Sequence, residues 1–256
     1  MIDLRIDDAV AYVTLNNPGK LNALDEGAVR ELGDAYAEAE RAGVRALVLR
    51  GEGRAFCAGR DIADVDPRDD DVMGYLDGLV TPVLKRMSAF PAPTFAAAHG
   101  ACLGVGLGLL IATDVVYVAE NAKIGSPFAA LGATLDSGGH ALFFERLGAH
   151  KTLDLIYTGR LMSGTEAVTA GLFSAAYPAD EVGAAVEAAA TKAADGATAA
   201  FLASKRLIAE LRDERLGLWA SMSAENAAQA ALCDTSDYRE GFAAFQEKRT
   251  PTFTGV

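Results

Sequence analysis

Two short segments of the chain combine glycine and small side chains with a strand-to-helix transition, the pattern that leaves backbone N–H groups free for a ligand. The first is Phe56-Cys57-Ala58-Gly59-Arg60-Asp61, which follows an apolar run and the turn Gly51-Glu52-Gly53. The second is Gly100–Gly108, where glycines at 100, 104, 106 and 108 keep side chains off the backbone at the start of an apolar helix. Such N–H groups can hold a developing oxyanion. An ordinary strand-to-helix turn has the same composition, so the residues alone leave both readings open. A dinucleotide turn is not expected, because Gly104-Val-Gly-Leu-Gly108 departs from G-x-G-x-x-G, and Asp114 and Glu120 come too early for a ribose contact.

Other chemistries lack their residues. The chain has no H-E-x-x-H, C-x-x-C or G-x-S-x-G. Neither the histidines (His99, His140, His150) nor the cysteines (Cys57, Cys102, Cys233) have metal-ligand spacing, and no metal or redox cofactor is expected. His99 ends an apolar strand and reads as structural. His140 lies one helical turn beyond Asp136, close enough to pair with it, and His150 reads as a surface residue. Cys57 and Cys102 read as small packing residues.

The elements that must position these segments alternate. Ala9–Leu15 alternates apolar residues and ends in Asn16-Asn17-Pro18-Gly19, a turn signal. Asp25–Ala42 has helical periodicity, with Val29, Leu32, Tyr36 and Ala39 on one face. Ala46–Arg50, Thr94–Ala98 and Val115–Ala119 read as short buried strands, the last preceded by a helix over about Leu103–Ala112. This repetition implies right-handed crossovers and a largely parallel sheet. The acidic Asp64–Asp71 reads as a surface loop or short lid. Beyond about residue 140 the pattern is helical, with alanine-rich helices at Glu181–Ala194, Ala197–Leu211 and Leu216–Leu232 and a last one at Tyr238–Lys248. Trp219 and Met222 supply a packing face.

At 256 residues the chain suits one large domain or a core with a small subdomain, and its 51% hydrophobic content is enough for a sizeable core. Thirty-five acidic and 23 basic residues leave a net charge of −12, which disfavours nucleic acid and anionic lipid as partners. The longest apolar stretch, 101–112, contains three glycines and is too short for a membrane span. The start, MIDLRIDDAVAYVTL, lacks a leader pattern, and three scattered cysteines suit a reducing compartment. A cytoplasmic location is expected.

Several ordered motifs carry a family resemblance over nearly the whole chain. They are NNPGKLNAL near the start, FCAGRD at 56–61, GACLGVGLGLLIATDVVYVAENAKIGSP at 100–127, GRLMSGTEAVTAGLFSAAYP at 159–178 and DTSDYREGFAAFQEKRTPTF at 234–253. Together they resemble the enoyl-CoA hydratase/isomerase (crotonase) family. The resemblance implies an α/β fold, a crotonase (ClpP/crotonase-like) spiral of ββα units over residues 1–195. A helical region, 196–256, would then serve oligomerisation as a homotrimer or a dimer of trimers. It also implies an acyl-CoA thioester as substrate, its carbonyl oxygen held by the backbone N–H groups of Arg60 and Val105. Valine is a departure at the second position, usually glycine, and its branched side chain narrows that approach. CoA and acyl contacts would come from Lys20 and Leu21, from Ala58, Asp61, Ile62 and Ala63, from Phe128 and Leu131, and from Lys248 with Arg249.

The family's hydratases carry catalytic glutamates where this chain has Gly108 and Phe128, and neither residue can supply an acid or base. Efficient hydration is therefore not expected. One carboxylate remains, Asp136 in Leu131–Gly139, at a position where dienoyl-CoA isomerases and aryl-CoA dehalogenases of the family use an Asp. The alternative for Asp136 is a helix cap. The resemblance thus implies an enolate-mediated reaction with Asp136 as sole acid/base, moving a double bond. An aryl-CoA dehalogenase or hydrolase with Asp136 as nucleophile, and a non-catalytic acyl-CoA binder, are the rivals. The dehalogenases' water-activating His would fall near Thr81, which counts against the first rival.

Overall fold

The computed structural model describes all residues but Asp64, Pro67, Leu216 and Val256, and the side chains of all others but Leu218, Trp219, Ser221 and Phe245. The chain runs through β1 (Ile2–Asp7), β2 (Val10–Leu15), α1 (Glu26–Arg41) and β3 (Ala46–Gly51). Next come α2 (Val72–Tyr75), a wider helical turn at Leu76–Val80, and α3 (Thr81–Ser88). Then follow β4 (Thr94–Ala98), β5 (Ala101–Leu103), α4 (Val105–Ile111), β6 (Val115–Ala119), β7 (Lys123–Gly125) and a 3-10 turn at Phe128–Leu131. After α5 (Gly139–Thr158) come β8 (Met162–Ser163), α6 (Gly164–Thr169), β9 (Ala175–Tyr177), α7 (Val182–Ala194), α8 (Thr198–Glu214), α9 (Leu218–Leu232) and α10 (Ser236–Glu247).

Six strands form one sheet in the order β1-β2-β3-β4-β6-β9, parallel except for the β1–β2 hairpin. A second sheet, β5-β7-β8, stands beside it. Period-two alternation sorts the side chains of the main sheet. Val10, Tyr12, Ala46, Val48, Phe95 and Ala97 pack under Val186, Ala190 and Ala194 of α7. Ala11, Val13, Leu15, Leu47 and Leu49 face the other way, into the core with Leu32, Tyr36 and Ala39 of α1. With both faces covered, all six residues of β2 are buried, as a central strand of a parallel sheet requires. The Asp25 side chain accepts from Ala28 N at 2.8 Å and starts α1.

The expected elements are found with small shifts of boundary. Not expected were β1, the α2–α3 segment, the second sheet β5-β7-β8, and β9, which with β8 interrupts the region read as helical beyond residue 140. The Asp64–Asp71 loop is tied down at its end, where Asp71 caps α2 through Gly74 N at 2.8 Å; Asp64 and Pro67 lie outside the described residues. So does the side chain of Trp219, and Met222 is exposed rather than packed. No helix among the described residues is long and apolar enough to cross a membrane.

Candidate active site

The two glycine-rich turns meet through main-chain contacts. Leu24 pairs with Arg60 as an isolated parallel bridge, its N–H donating to Gly59 O at 2.8 Å while Asp61 N donates to Leu24 O at 2.9 Å. In this pattern the N–H of Arg60 itself points away from Leu24. Cys57 bridges Cys102 in the same way, through Cys57 N to Ala101 O at 2.9 Å and Leu103 N to Cys57 O at 3.0 Å. The first turn is thereby laid against the second. Gly59 (φ 102°) leaves no room for a side chain, since a Cβ there would stand 3.0 Å from Leu103 O and 3.8 Å from Gly104 Cα. Val105 is the first residue of α4, after Gly104 at φ 52° and ψ −119°, and its N–H belongs to the first turn, which has no acceptor within the helix. The expected narrowing by valine does not arise. Val105 is 2% exposed and packs in the hydrophobic core.

Phe128 lies over this second turn. A Cβ on Gly104 would come 2.8 Å from its Cζ, so the tip of the ring closes over the bare Cα that precedes Val105. On the next turn of α4 stands Gly108. A Cβ there would overlap Ser137 Cβ and stand 3.1 Å from Ser137 O and 3.2 Å from its Oγ. The space that a side chain at 108 would enter is occupied by Ser137, which the sequence analysis does not single out. Ser137 has φ 50°, a left-handed conformation that costs a non-glycine residue about 1–2 kcal/mol. Its Oγ and Oδ1 of Asp136 are both buried without a hydrogen-bond partner.

Asp136 is not a cap. Helix α5 begins after Gly138 with no side-chain cap, and Asp136 contributes only its carbonyl, accepting from Gly139 N at 2.9 Å. Burial pushes its carboxyl above the usual range, opposed by the nearby Ser137 hydroxyl and by the charge of Arg60. His140 does not join it, turning instead to Thr134 Oγ1 at 3.2 Å. His99 Nε2 meets Gly53 O at 2.9 Å, a structural role, and His150 is exposed. Both Cys57 and Cys102 are fully buried, the Cys57 thiol pushed up to about 12 and the Cys102 thiol well above its usual value, each chiefly by desolvation.

The Arg60 side chain fixes the far side. Its guanidinium makes a bidentate pair with Asp70 at 2.8 and 2.6 Å and stacks on Tyr75, 4.1 Å from the ring centre. This pair holds the Asp70 carboxyl below the usual range. Burial raises the Tyr75 phenol, and Asp136 adds to that rise. Arg60, Tyr75 and Asp136 therefore share one electrostatic neighbourhood.

Of the expected CoA residues, the structure gathers the N-terminal set. Ala58 N donates to Leu21 O at 3.0 Å, and Lys20 Nζ pairs with Asp61 Oδ2 at 2.6 Å, which lowers the Asp61 carboxyl. Ile62 and Ala63 follow at the surface, and Leu131 is exposed on the turn after Phe128. Lys248 is exposed beyond α10, and no hydrogen bond or ion pair among the described residues joins it to either turn. Its neighbour Arg249 is engaged by Glu240 at 2.6 Å and Glu247 at 2.6 Å. No group of three or more potential metal ligands occurs among the described residues.

The enoyl-CoA hydratase/isomerase family model matches residues 5–256. A Rhodobacter capsulatus protein named as a probable enoyl-CoA hydratase is 34% identical over 255 residues, 99% of this chain and 98% of that one. The 2,3-dehydroadipyl-CoA hydratase of Escherichia coli is 30% identical over 247 residues, 96% of this chain and 95% of its own. Among solved structures, an enoyl-CoA hydratase from Bacillus anthracis superposes with a TM-score of 0.90 at 28% identity, covering 100% of this chain and 99% of that one.

Proposed function

The chain belongs to the enoyl-CoA hydratase/isomerase family, and on that premise we propose that it moves a double bond within an acyl-CoA thioester rather than hydrating it. The observation that carries this reading is the placement of Asp136: a half-buried carboxyl with a raised pKa, beside Ser137 where that residue covers Gly108. The N–H groups of Arg60 and Val105 hold the thioester oxygen and stabilise the enolate that forms there. Asp136 takes a proton from one carbon of the acyl chain. The C–H electron pair enters the conjugated enolate, and the proton returns to a different carbon, so the double bond shifts and nothing is oxidised. A carboxyl raised by burial is a better base near neutrality than an exposed one.

Hydration needs one group to activate water and another to protonate the α-carbon. Gly108 and Phe128, which stand where the family's hydratases carry glutamates, supply neither. Lys20, Leu21 and Ala58–Ala63 form the CoA side of the site. Phe144, Leu153, Tyr157, Phe201, Ile208 and Met222 are exposed apolar residues on α5, α8 and α9. They support a homotrimer or dimer of trimers.

The test is incubation with 2-enoyl-, 3-enoyl-, dienoyl- and aroyl-CoA thioesters, with products separated by liquid chromatography against standards of each isomer and identified by mass spectrometry. Interconversion of 2- and 3-enoyl isomers at unchanged mass is the expected result. Gain of one water as the main product, a transient aryl adduct on the protein, or tight binding with no product would each reject isomerisation.

A further inference from the structure

Ser137 is held in the left-handed region without being glycine or asparagine. Its side chain presses on the bare Cα of Gly108, and its hydroxyl is buried with no hydrogen-bond partner. A buried orphan hydroxyl on a strained backbone does nothing for stability, and such coincidences cluster at working sites. The chain neighbour Asp136 has the matching defect, Oδ1 buried and unpartnered. A hydroxyl both donates and accepts. It can therefore serve a carboxylate and a carboxylic acid in turn, which no lysine, arginine or backbone N–H can do.

We infer that Ser137 is a positioning residue for Asp136, its hydroxyl donating to the carboxylate before proton transfer and accepting from the carboxylic acid after it. This rests on the acid–base reading of Asp136. The other charged or titratable groups that Asp136 senses are Arg60 and Tyr75, and His140 is turned to Thr134. Arg60 is already matched by Asp70, and Tyr75 points its hydroxyl towards Leu24 O at 3.4 Å. Ser137 is the group left to follow the proton. Glycine at 108 then has a reason of its own, since any side chain there would displace the hydroxyl that Asp136 works with.

The experiment is a carbon-13 NMR titration of the Asp136 carboxyl in the full chain, assigned by its loss in Asp136→Asn, for the parent, Ser137→Ala and Ser137→Gly. Turnover of a 3-enoyl-CoA is measured alongside. Ser137 is one of the groups that holds the Asp136 pKa down, so both variants should titrate at higher pH than the parent. Their kcat should fall about tenfold, the loss of one well-placed hydrogen bond, with KM unchanged. The acid limb of the kcat profile should move up with the titration. Ser137→Gly should also melt higher, because glycine relieves the positive φ, which separates lost activity from lost fold. An unmoved titration in both variants, or an unchanged kcat, overturns the inference. The titration needs no turnover, and an unmoved one overturns the inference by itself. Asp136→Asn that retains full turnover would reject the acid–base reading itself. An inactive Asp136→Asn beside a fully active Ser137→Ala would reject only the positioning role.

Discussion

Gly108→Ala should weaken the fold even though alanine is the better helix former. Replacing glycine by alanine inside a helix ordinarily gains about 0.5–1 kcal/mol. Here the added Cβ would overlap Ser137 Cβ and lie 3.1 Å from Ser137 O and 3.2 Å from Oγ. Ser137 Cβ is bonded directly to the backbone of the turn into α5 and Ser137 O is part of it, so only Oγ can swing aside and the closest contact cannot. Overpacking of this kind costs about 1–3 kcal/mol, and the middle of that range less the helix gain leaves a net loss of about 1 kcal/mol. For a chain of this size that lowers the melting temperature by about 2–4 °C. Thermal unfolding of four proteins, the parent, Gly108→Ala, Ser137→Gly and the double variant, isolates the contact. In the Ser137→Gly background the overlap is gone and the alanine should be neutral or mildly stabilising. The coupling between the two sites should be about 1–3 kcal/mol. Gly108→Ala as stable as the parent, or the same effect in both backgrounds, would refute the assignment of that space to Ser137.

The same overlap bears on restoring hydration. Glutamates at both 108 and 128 should still hydrate crotonyl-CoA poorly unless Ser137 is also cut to glycine, which loss of the enoyl absorbance would follow. Asp136→Asn should lower kcat by about 10²–10⁴ with acyl-CoA affinity by calorimetry nearly intact. That variant should also fold more stably than the parent at neutral pH. The raised pKa means the native state favours the protonated carboxyl. The penalty for ionising it is absent below the unfolded-state value of about 4 and complete above the folded-state value. Denaturant unfolding at low and neutral pH should show the advantage of Asn vanish on acidification. Asp237, 3% exposed, accepts from Thr254 N at 2.7 Å and Gly255 N at 2.8 Å. Asp237→Ala should cost about 1–3 kcal/mol and make the last residues sensitive to carboxypeptidase.

Much of the site is legible in the sequence because its parts are local. Glycines 59 and 104 sit at positive φ, which side chains rarely adopt. Composition marks Phe56–Asp61 and Gly100–Gly108 as candidate donor turns and leaves an ordinary strand-to-helix turn open, and only the family resemblance favours the donor reading. Helix α1 follows from the spacing of Val29, Leu32, Tyr36 and Ala39. Strand β2 follows from the alternation of its apolar residues, and both its faces are covered once α7 returns across the sheet. Strand β1 carries the plainest alternation in the chain, Ile-Asp-Leu-Arg-Ile-Asp, and a period-two count from residue 2 would have found it. The cap at Asp71 signalled α2 in the same way. Ser137 could not have been found. Its importance lies in meeting Gly108, 29 positions earlier in the numbering, and nothing local to Leu-Asp-Ser-Gly-Gly foretells that meeting. The cap reading of Asp136 fails for a local reason: the two left-handed residues Ser137 and Gly138 place the helix start beyond its reach.

The bridges Leu24 to Arg60 and Cys57 to Cys102 are made by peptide groups alone. A lattice of that kind is inherited with the fold and survives most changes of side chain. Side chains on neighbouring segments can therefore change while the two turns stay joined. In this chain Gly108 on α4 is the floor on which Ser137, in the turn ahead of α5, stands.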